Sequence, residues 1–141
     1  MVRKIIFICK YNAFRSKIAE LYLKKINKNK KIKSFSRGFI MGGKPDKTQI
    51  SFGKKITGVD ITKVKQKPVN LWELIDADKI IVVASDIPIK MFDYHLEDLQ
   101  KKVEIWKIKD EQKQNKNNII NTINSIKKEV EKLVEDLNEK D

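Results

Sequence analysis

Val2 to Ile8 is a nearly continuous apolar run of strand length. Across the loop Cys9 to Arg15 it gives way to a helical period, with Ile18, Ala19, Leu21, Tyr22, Leu23 and Ile26 recurring at helical spacing. A run that short and that apolar fits a strand buried on both faces, which is the environment of a parallel sheet. Ser16 offers a side-chain oxygen at the helix start. The chain therefore opens strand, loop, helix, and the alternation continues. After the basic turn Asn27 to Lys33, Ile32 to Phe35 reads as a weaker strand, Gly38 to Asp46 as a loop, and Thr48 to Ile56 as a short helix closing at Gly58. Lys63 to Pro68 is a polar connector and Leu71 to Ile75 a helical turn. Lys79 to Ala84, with Ile80, Ile81, Val82 and Val83 all β-branched, is the clearest strand. Pro88 opens a short helix over Ile89 to Tyr94, and Val103 to Ile108 is a fourth strand. Ile119, Ile123, Ile126, Val130, Leu133 and Leu137 form one stripe, read as a packing helix rather than a coiled-coil seam.

Strands alternating with helices predict an α/β fold, a three-layer sandwich around a four-stranded parallel sheet. A chain of 141 residues is expected to form one domain over 1–141, burying roughly two-thirds of its unfolded surface. Ligands of such sheets bind beyond the carboxyl ends of the strands. The loops after Ile8, Phe35, Ala84 and Ile108 are therefore expected to meet at one edge.

The single cysteine, Cys9, excludes an intramolecular disulfide and any cysteine-based zinc finger. The first residues hold no signal-peptide core or bilayer-length run, so a soluble, cytoplasmic protein without a membrane partner is expected. The 31 Lys and Arg exceed 19 Asp and Glu, for a net charge of +12. Of these cations 28 are Lys, dispersed from Lys4 to Lys140, and three are Arg. Dispersal argues for solvated surface and attraction of small anions over nucleic-acid binding. His95 fits a surface or capping role. Gly42-Gly43-Lys44 lacks nucleotide-loop spacing, and no residue set has metal-ligand spacing, so neither metal nor cofactor is expected.

The loop Cys9-Lys10-Tyr11-Asn12-Ala13-Phe14-Arg15-Ser16 carries the chemistry. A loop of this length between a buried strand and a helix N-terminus can wrap backbone N–H groups around an oxyanion. The same field favours a thiolate at Cys9, a nucleophile. The planar Arg15 guanidinium suits two equatorial phosphoryl oxygens, and an Arg is informative in a chain with three. Ser16 can donate its hydroxyl to the Cys9 sulfur, and Asn12 can brace the loop through its amide. The bland alternative is an inert cysteine at the end of a core strand. Tyr11, Phe39 and Met41 are candidates for an apolar substrate rim; Phe14 is a further candidate that equally suits the core. A general acid must reach the leaving group from the same edge, and Asp86 and Asp110 both satisfy this.

These residues resemble the low-molecular-weight protein tyrosine phosphatases, relatives of the thioredoxin-linked arsenate reductases, over nearly the whole chain. Cys9-x-x-Asn12-x-x-Arg15-Ser16-x-x-Ala19-Glu20 is similar to the family's signature loop and first helix. Ser36-Arg37-Gly38, Gly58-Val59-Asp60-Ile61-Thr62 and Asp76 to Val82 resemble further family segments. The resemblance implies a phosphatase-like fold and a cysteinyl-phosphate intermediate formed by Cys9. It implies further that Arg15 holds the phosphoryl group and that a late aspartate serves as acid, which favours Asp110 over Asp86. The implied substrates are phosphorylated proteins or small phosphomonoesters. The chain departs from the family pattern at Tyr11, where glycine is common, at Val64, where a supporting histidine stands, and at Glu111, where proline follows the acid. Without further cysteines a thioredoxin-relayed reductase is excluded. Arsenate reduction by an external thiol, or a non-catalytic phosphate or polyanion-binding module, are the alternatives.

Overall fold

β1 (Lys4–Cys9) is buried from Ile5 onward because helices cover both faces of the sheet, which is why its sequence carries no polar face. It pairs in parallel with β2 (Lys33–Gly38) in the register Lys4↔Lys33 to Cys9↔Gly38. On its other side it pairs with β3 (Lys79–Val83), in the register Ile5↔Lys79 to Ile8↔Val82. β4 (Val103–Trp106) pairs in parallel with β3, so the strand order is β2-β1-β3-β4. The structure, a computed structural model, describes residues 2–85, 97–108 and 115–139.

Alternation along β1 divides the core into two clusters. Ile5 and Phe7 join Ile81 and Val83 beneath α1 (Arg15–Ile26), α2 (Lys47–Thr57) and α5 (Lys116–Glu139). Ile6 and Ile8 join Ile80 and Val82 on the opposite face, with Leu74 of α3 (Leu71–Asp76) and Leu99 of α4 (Glu97–Gln100) packed against them. This is the three-layer α/β sandwich. The six stripe residues of α5 are all buried, and α5 packs against α1 and α2, so the stripe is a packing face.

Local signals set the helix ends. Asp46 and Gln49 form a reciprocal capping box at α2, with Gln49 N–H donating to Asp46 Oδ1 at 2.8 Å, and Gly58 closes the helix with φ 79°. α5 starts within the polar stretch 111–118, because Asn115 Oδ1 accepts from the Asn118 N–H at 2.9 Å and acts as a cap. β2 runs Lys33–Gly38, longer than the expected Ile32 to Phe35. Its inward residues Ser34, Ser36 and Gly38 are buried yet not apolar, so neighbour pairing overrides an unpromising sequence. The expected helix at 89–94 and His95 lie outside the described residues.

Asp78 Oδ2 accepts the N–H groups of Arg3 and Lys4, each at 2.8 Å, and ties the start of β1 to the entry of β3. The bond from the Arg3 N–H, opposed by desolvation and joined by the bond from the Lys4 N–H, holds this carboxyl below the ordinary carboxylate range. A carboxyl lowered by folding stabilises the fold above its unfolded pKa and loses that contribution as pH falls through its folded pKa. Asp78→Asn is therefore expected to cost about 0.5–1 kcal/mol at neutral pH, a figure reduced for solvent screening of an exposed group. The gap between variant and wild type should narrow below about pH 4, as read by urea unfolding across pH.

Candidate active site

β1 delivers Cys9, 3% exposed, to the carboxyl edge of the sheet, and the chain turns through residues 10–14 into α1. The turn depends on Asn12, the one described non-glycine residue with positive φ, at 55°. Asn tolerates this region better than most side chains. Its fully buried amide works on both sides: Nδ2 donates to Ser16 Oγ at 2.7 Å, and Oδ1 accepts the Lys67 N–H at 3.1 Å. Ser16 Oγ in turn lies 3.0 Å from Cys9 Sγ. Because that oxygen already accepts from Asn12, its own proton is available to the sulfur, the arrangement a thiolate requires.

Ser16 is therefore not the helix cap that the sequence predicts. Phe14 occupies the cap position without a side-chain bond, and the serine hydroxyl is turned to the cysteine. Among the described residues the N–H groups of Lys10, Tyr11, Asn12, Ala13 and Phe14 donate to no protein acceptor. With the positive end of α1 behind them, these amides form an oxyanion cradle.

Arg15 is 7% exposed, and its Nη1 donates to the Ile108 carbonyl at 3.2 Å. The same carbonyl accepts the Ser85 N–H at 3.0 Å, so the segments leaving β3 and β4 converge on the arginine. The loop after β2 docks on the other side, where Phe39 N–H donates to the Cys9 carbonyl at 3.1 Å and Ile40 N–H to that of Lys10 at 3.0 Å. Gly38 makes this approach possible. A Cβ there would lie 2.6 Å from the Tyr11 carbonyl carbon.

Of the proposed rim, the Tyr11 ring lies against Gly42 and Gly43, where an added Cβ would come within 3.4 and 3.3 Å of it. Phe39 is half-buried on the second core cluster, and Met41 is 67% exposed. Phe14 does not reach the rim: its side chain is in the first core cluster. Asp110 and Asp86 lie outside the described residues.

Three contributors escape the sequence reading. Gln66 Nε2 donates to the carbonyls of Tyr11, Gly42 and Gly43 at 3.2, 3.2 and 3.0 Å. It fastens the loop after β1 to the loop after β2, yet one amide in a polar connector carries no signal of this. Lys67 contributes through its backbone, which composition cannot reveal. Glu20, buried on α1, accepts from Ser36 Oγ at 2.7 Å and from Lys24 Nζ at 2.6 Å, locking α1 to β2. Beside it, burial pushes the Lys17 ammonium below its ordinary range, while negative charge at Cys9 and Glu20 acts in the opposite direction. Among the described residues no group of three His, Cys, Asp or Glu comes together to hold a metal, and no helix is long and apolar enough to cross a membrane.

The family model of the low molecular weight phosphotyrosine protein phosphatases matches residues 4–141, and the chain belongs to this family of cysteine-based phosphatases. Among solved structures it is similar to the tyrosine phosphatase AmsI of Erwinia amylovora, at 21% identity over 96% of this chain and 93% of that one, with a TM-score of 0.82. It is also similar to the low molecular weight protein tyrosine phosphatase of T. tengcongensis, at 20% identity over 94% and 98% of the two chains, TM-score 0.81. The arginine phosphatase YwlE of Geobacillus stearothermophilus aligns at 15% identity over 98% and 94%, TM-score 0.81. At these identities the likeness shows the fold. Comparison with curated protein sequences finds no match.

The Gln66 tether gives a direct test. Gln66→Ala is expected to weaken vanadate binding about three- to tenfold by calorimetry, from loss of a donor shared by three carbonyls. Gln66→Glu should be worse than Ala, because a carboxylate would face three acceptors. Wild-type affinity in both variants would show that the tether does not position the loop.

Proposed function

We propose that the protein hydrolyses phosphomonoesters, with phosphotyrosine in proteins as the substrate group, in one domain spanning residues 1–141. Cys9 Sγ attacks phosphorus and the ester oxygen leaves, forming a cysteinyl-phosphate; water then attacks that phosphorus and returns the thiolate and inorganic phosphate. The observation that carries this reading is the Cys9–Ser16–Asn12 chain at 3.0 and 2.7 Å within a loop of five available amides. Those amides and Arg15 would hold the equatorial oxygens, where phosphoryl transfer needs most of its stabilisation. Ser16, by donating to the sulfur, would favour the thiolate both as nucleophile and as leaving group.

Asp110 is the proposed acid, protonating the leaving oxygen in the first step and taking a proton from water in the second. It follows Ile108, whose carbonyl accepts from Arg15, by two residues. Asp86 follows Ser85, bonded to that same carbonyl, so both acids start from one point and the family pattern favours Asp110. Tyr11, Phe39 and Met41 are the proposed rim against the substrate's ring. Because a protein named an arginine phosphatase shares the fold, phosphoarginine is the competing substrate group.

Hydrolysis of p-nitrophenyl phosphate in EDTA is expected to proceed in the wild type and to vanish in Cys9→Ser. Asp110→Asn should lower kcat about 10²–10⁴-fold and Asp86→Asn far less. The reverse order would move the acid to Asp86. Phosphotyrosine and phosphoarginine peptides compared by kcat/KM decide the leaving group. Arsenate-dependent thiol consumption without esterase activity would favour the reductase, and vanadate binding without either activity a binding module.

A further inference from the structure

The described loops around the cradle carry Lys10, Lys44, Lys65, Lys67 and Lys107, each at or beside a residue that is bonded to the cradle or belongs to it. Lys67 gives its N–H to Asn12, and Lys65 precedes Gln66. Lys44 follows Gly43, whose carbonyl Gln66 holds. Lys107 precedes Ile108, which accepts from Arg15. Lys10 follows Cys9, its ammonium 5.2 Å from the Tyr11 ring centroid. Lys44, Lys65, Lys67 and Lys107 are exposed.

Part of the chain's lysine charge is neutralised by ion pairs away from the site. At the amino edge of the sheet Lys4 pairs with Asp76, and Lys79 with Glu104 at 3.0 Å. On the flank Arg37 pairs with Glu73 at 2.7 Å. Among the described residues none of the five lysines around the cradle has an ion pair. Asp46, two residues from Lys44, uses its carboxylate to cap α2. Among the described residues these five lysines thus carry no ion-paired counter-charge, and they attract anions over roughly a Debye length, about 8 Å.

We propose that the substrate is a phosphorylated side chain set in an acidic segment, with Asp or Glu within about three residues on either side. Resting on the phosphatase reading above, this names the context in which the phosphate is met. An extended peptide rises about 3.3 Å per residue, so side chains two or three positions from the phosphorylated one fall about 7–10 Å away, over these lysines and beyond the cradle. A small monoester reaches only the cradle. Flexible ammonium groups suit carboxylates placed at varied distances, whereas a nucleic-acid surface favours the bidentate guanidinium, and neither exposed loop here offers an arginine.

The test uses three phosphotyrosine peptides of equal length with acidic, neutral or basic flanks. Their binding to Cys9→Ser is read by fluorescence anisotropy, and wild-type hydrolysis of p-nitrophenyl phosphate is measured in parallel. The acidic peptide is expected to bind roughly tenfold more tightly than the neutral one in about 50 mM salt, and less than about threefold more tightly in about 500 mM. Adding Lys44→Gln, Lys65→Gln and Lys107→Gln together should bring the two affinities within about twofold. Equal binding of the peptides, a preference that survives the triple change, or equally tight binding of an oligonucleotide would overturn the proposal. If the preference stands while p-nitrophenyl phosphate is not hydrolysed, the hydrolase reading fails and acidic phosphopeptide recognition remains.

Discussion

A buried side-chain amide on a residue with positive φ holds the site together. Asn12 must adopt φ 55° for the chain to turn from β1 into α1 while leaving a row of amides unpaired. Such a backbone persists only where its surroundings over-determine it. Here Ser16 supplies an acceptor and Lys67 a donor to the same side chain, so the start of α1 and a segment far along the chain agree on one loop shape. Ser16 then passes this order to the sulfur. The hydrogen bond to the Cys9 sulfur and the row of unpaired amides are consequences of one constraint, and neither can be altered at Asn12 without the other.

The sheet makes that constraint affordable to reach. With β1 central, its carboxyl end is flanked by the ends of β2 and β3, and the parallel register brings Cys9 opposite Gly38. Gly38 admits the Tyr11–Asn12 peptide at a distance where any side chain would collide with backbone. On the far side, the Ile108 carbonyl gathers Ser85 and Arg15. Packing of α5 across α1 and α2 covers the face from which α1 presents its N-terminus, so core burial and the direction of the helix dipole are settled together.

β1, β3, β4, the final helix and the loop from Cys9 to Ser16 are legible in the sequence because each is written in contiguous residues. Ile119 to Leu137 announces its buried face by period, and Cys9, Asn12, Arg15 and Ser16 announce theirs by spacing. What is not legible depends on partners far along the chain. β2 hides because Ser34 and Ser36 face inward against Glu20 rather than against apolar side chains. Ser16 reads as a cap, since a serine at a helix start usually is one, and only the position of the Cys9 sulfur shows its other use. Gln66 serves three carbonyls that no spacing rule connects to it. Phe14 is ambiguous in sequence because loop and core lie one rotamer apart at a helix entrance.

Two of the departures from the family pattern, Tyr11 and Val64, fall among the described residues. Tyr11 stands where glycine is common, and the glycines appear instead on the facing loop, at Gly42 and Gly43, where the ring needs a flat surface. The tyrosine thereby covers the loop without crowding the cradle. Val64 stands where the family pattern has a histidine, and here Asn12 Oδ1 accepts the Lys67 backbone N–H. An imidazole changes its donor pattern near neutral pH, whereas a peptide N–H keeps its proton at any pH the fold survives. The bond that Lys67 gives to Asn12 therefore carries no titration of its own.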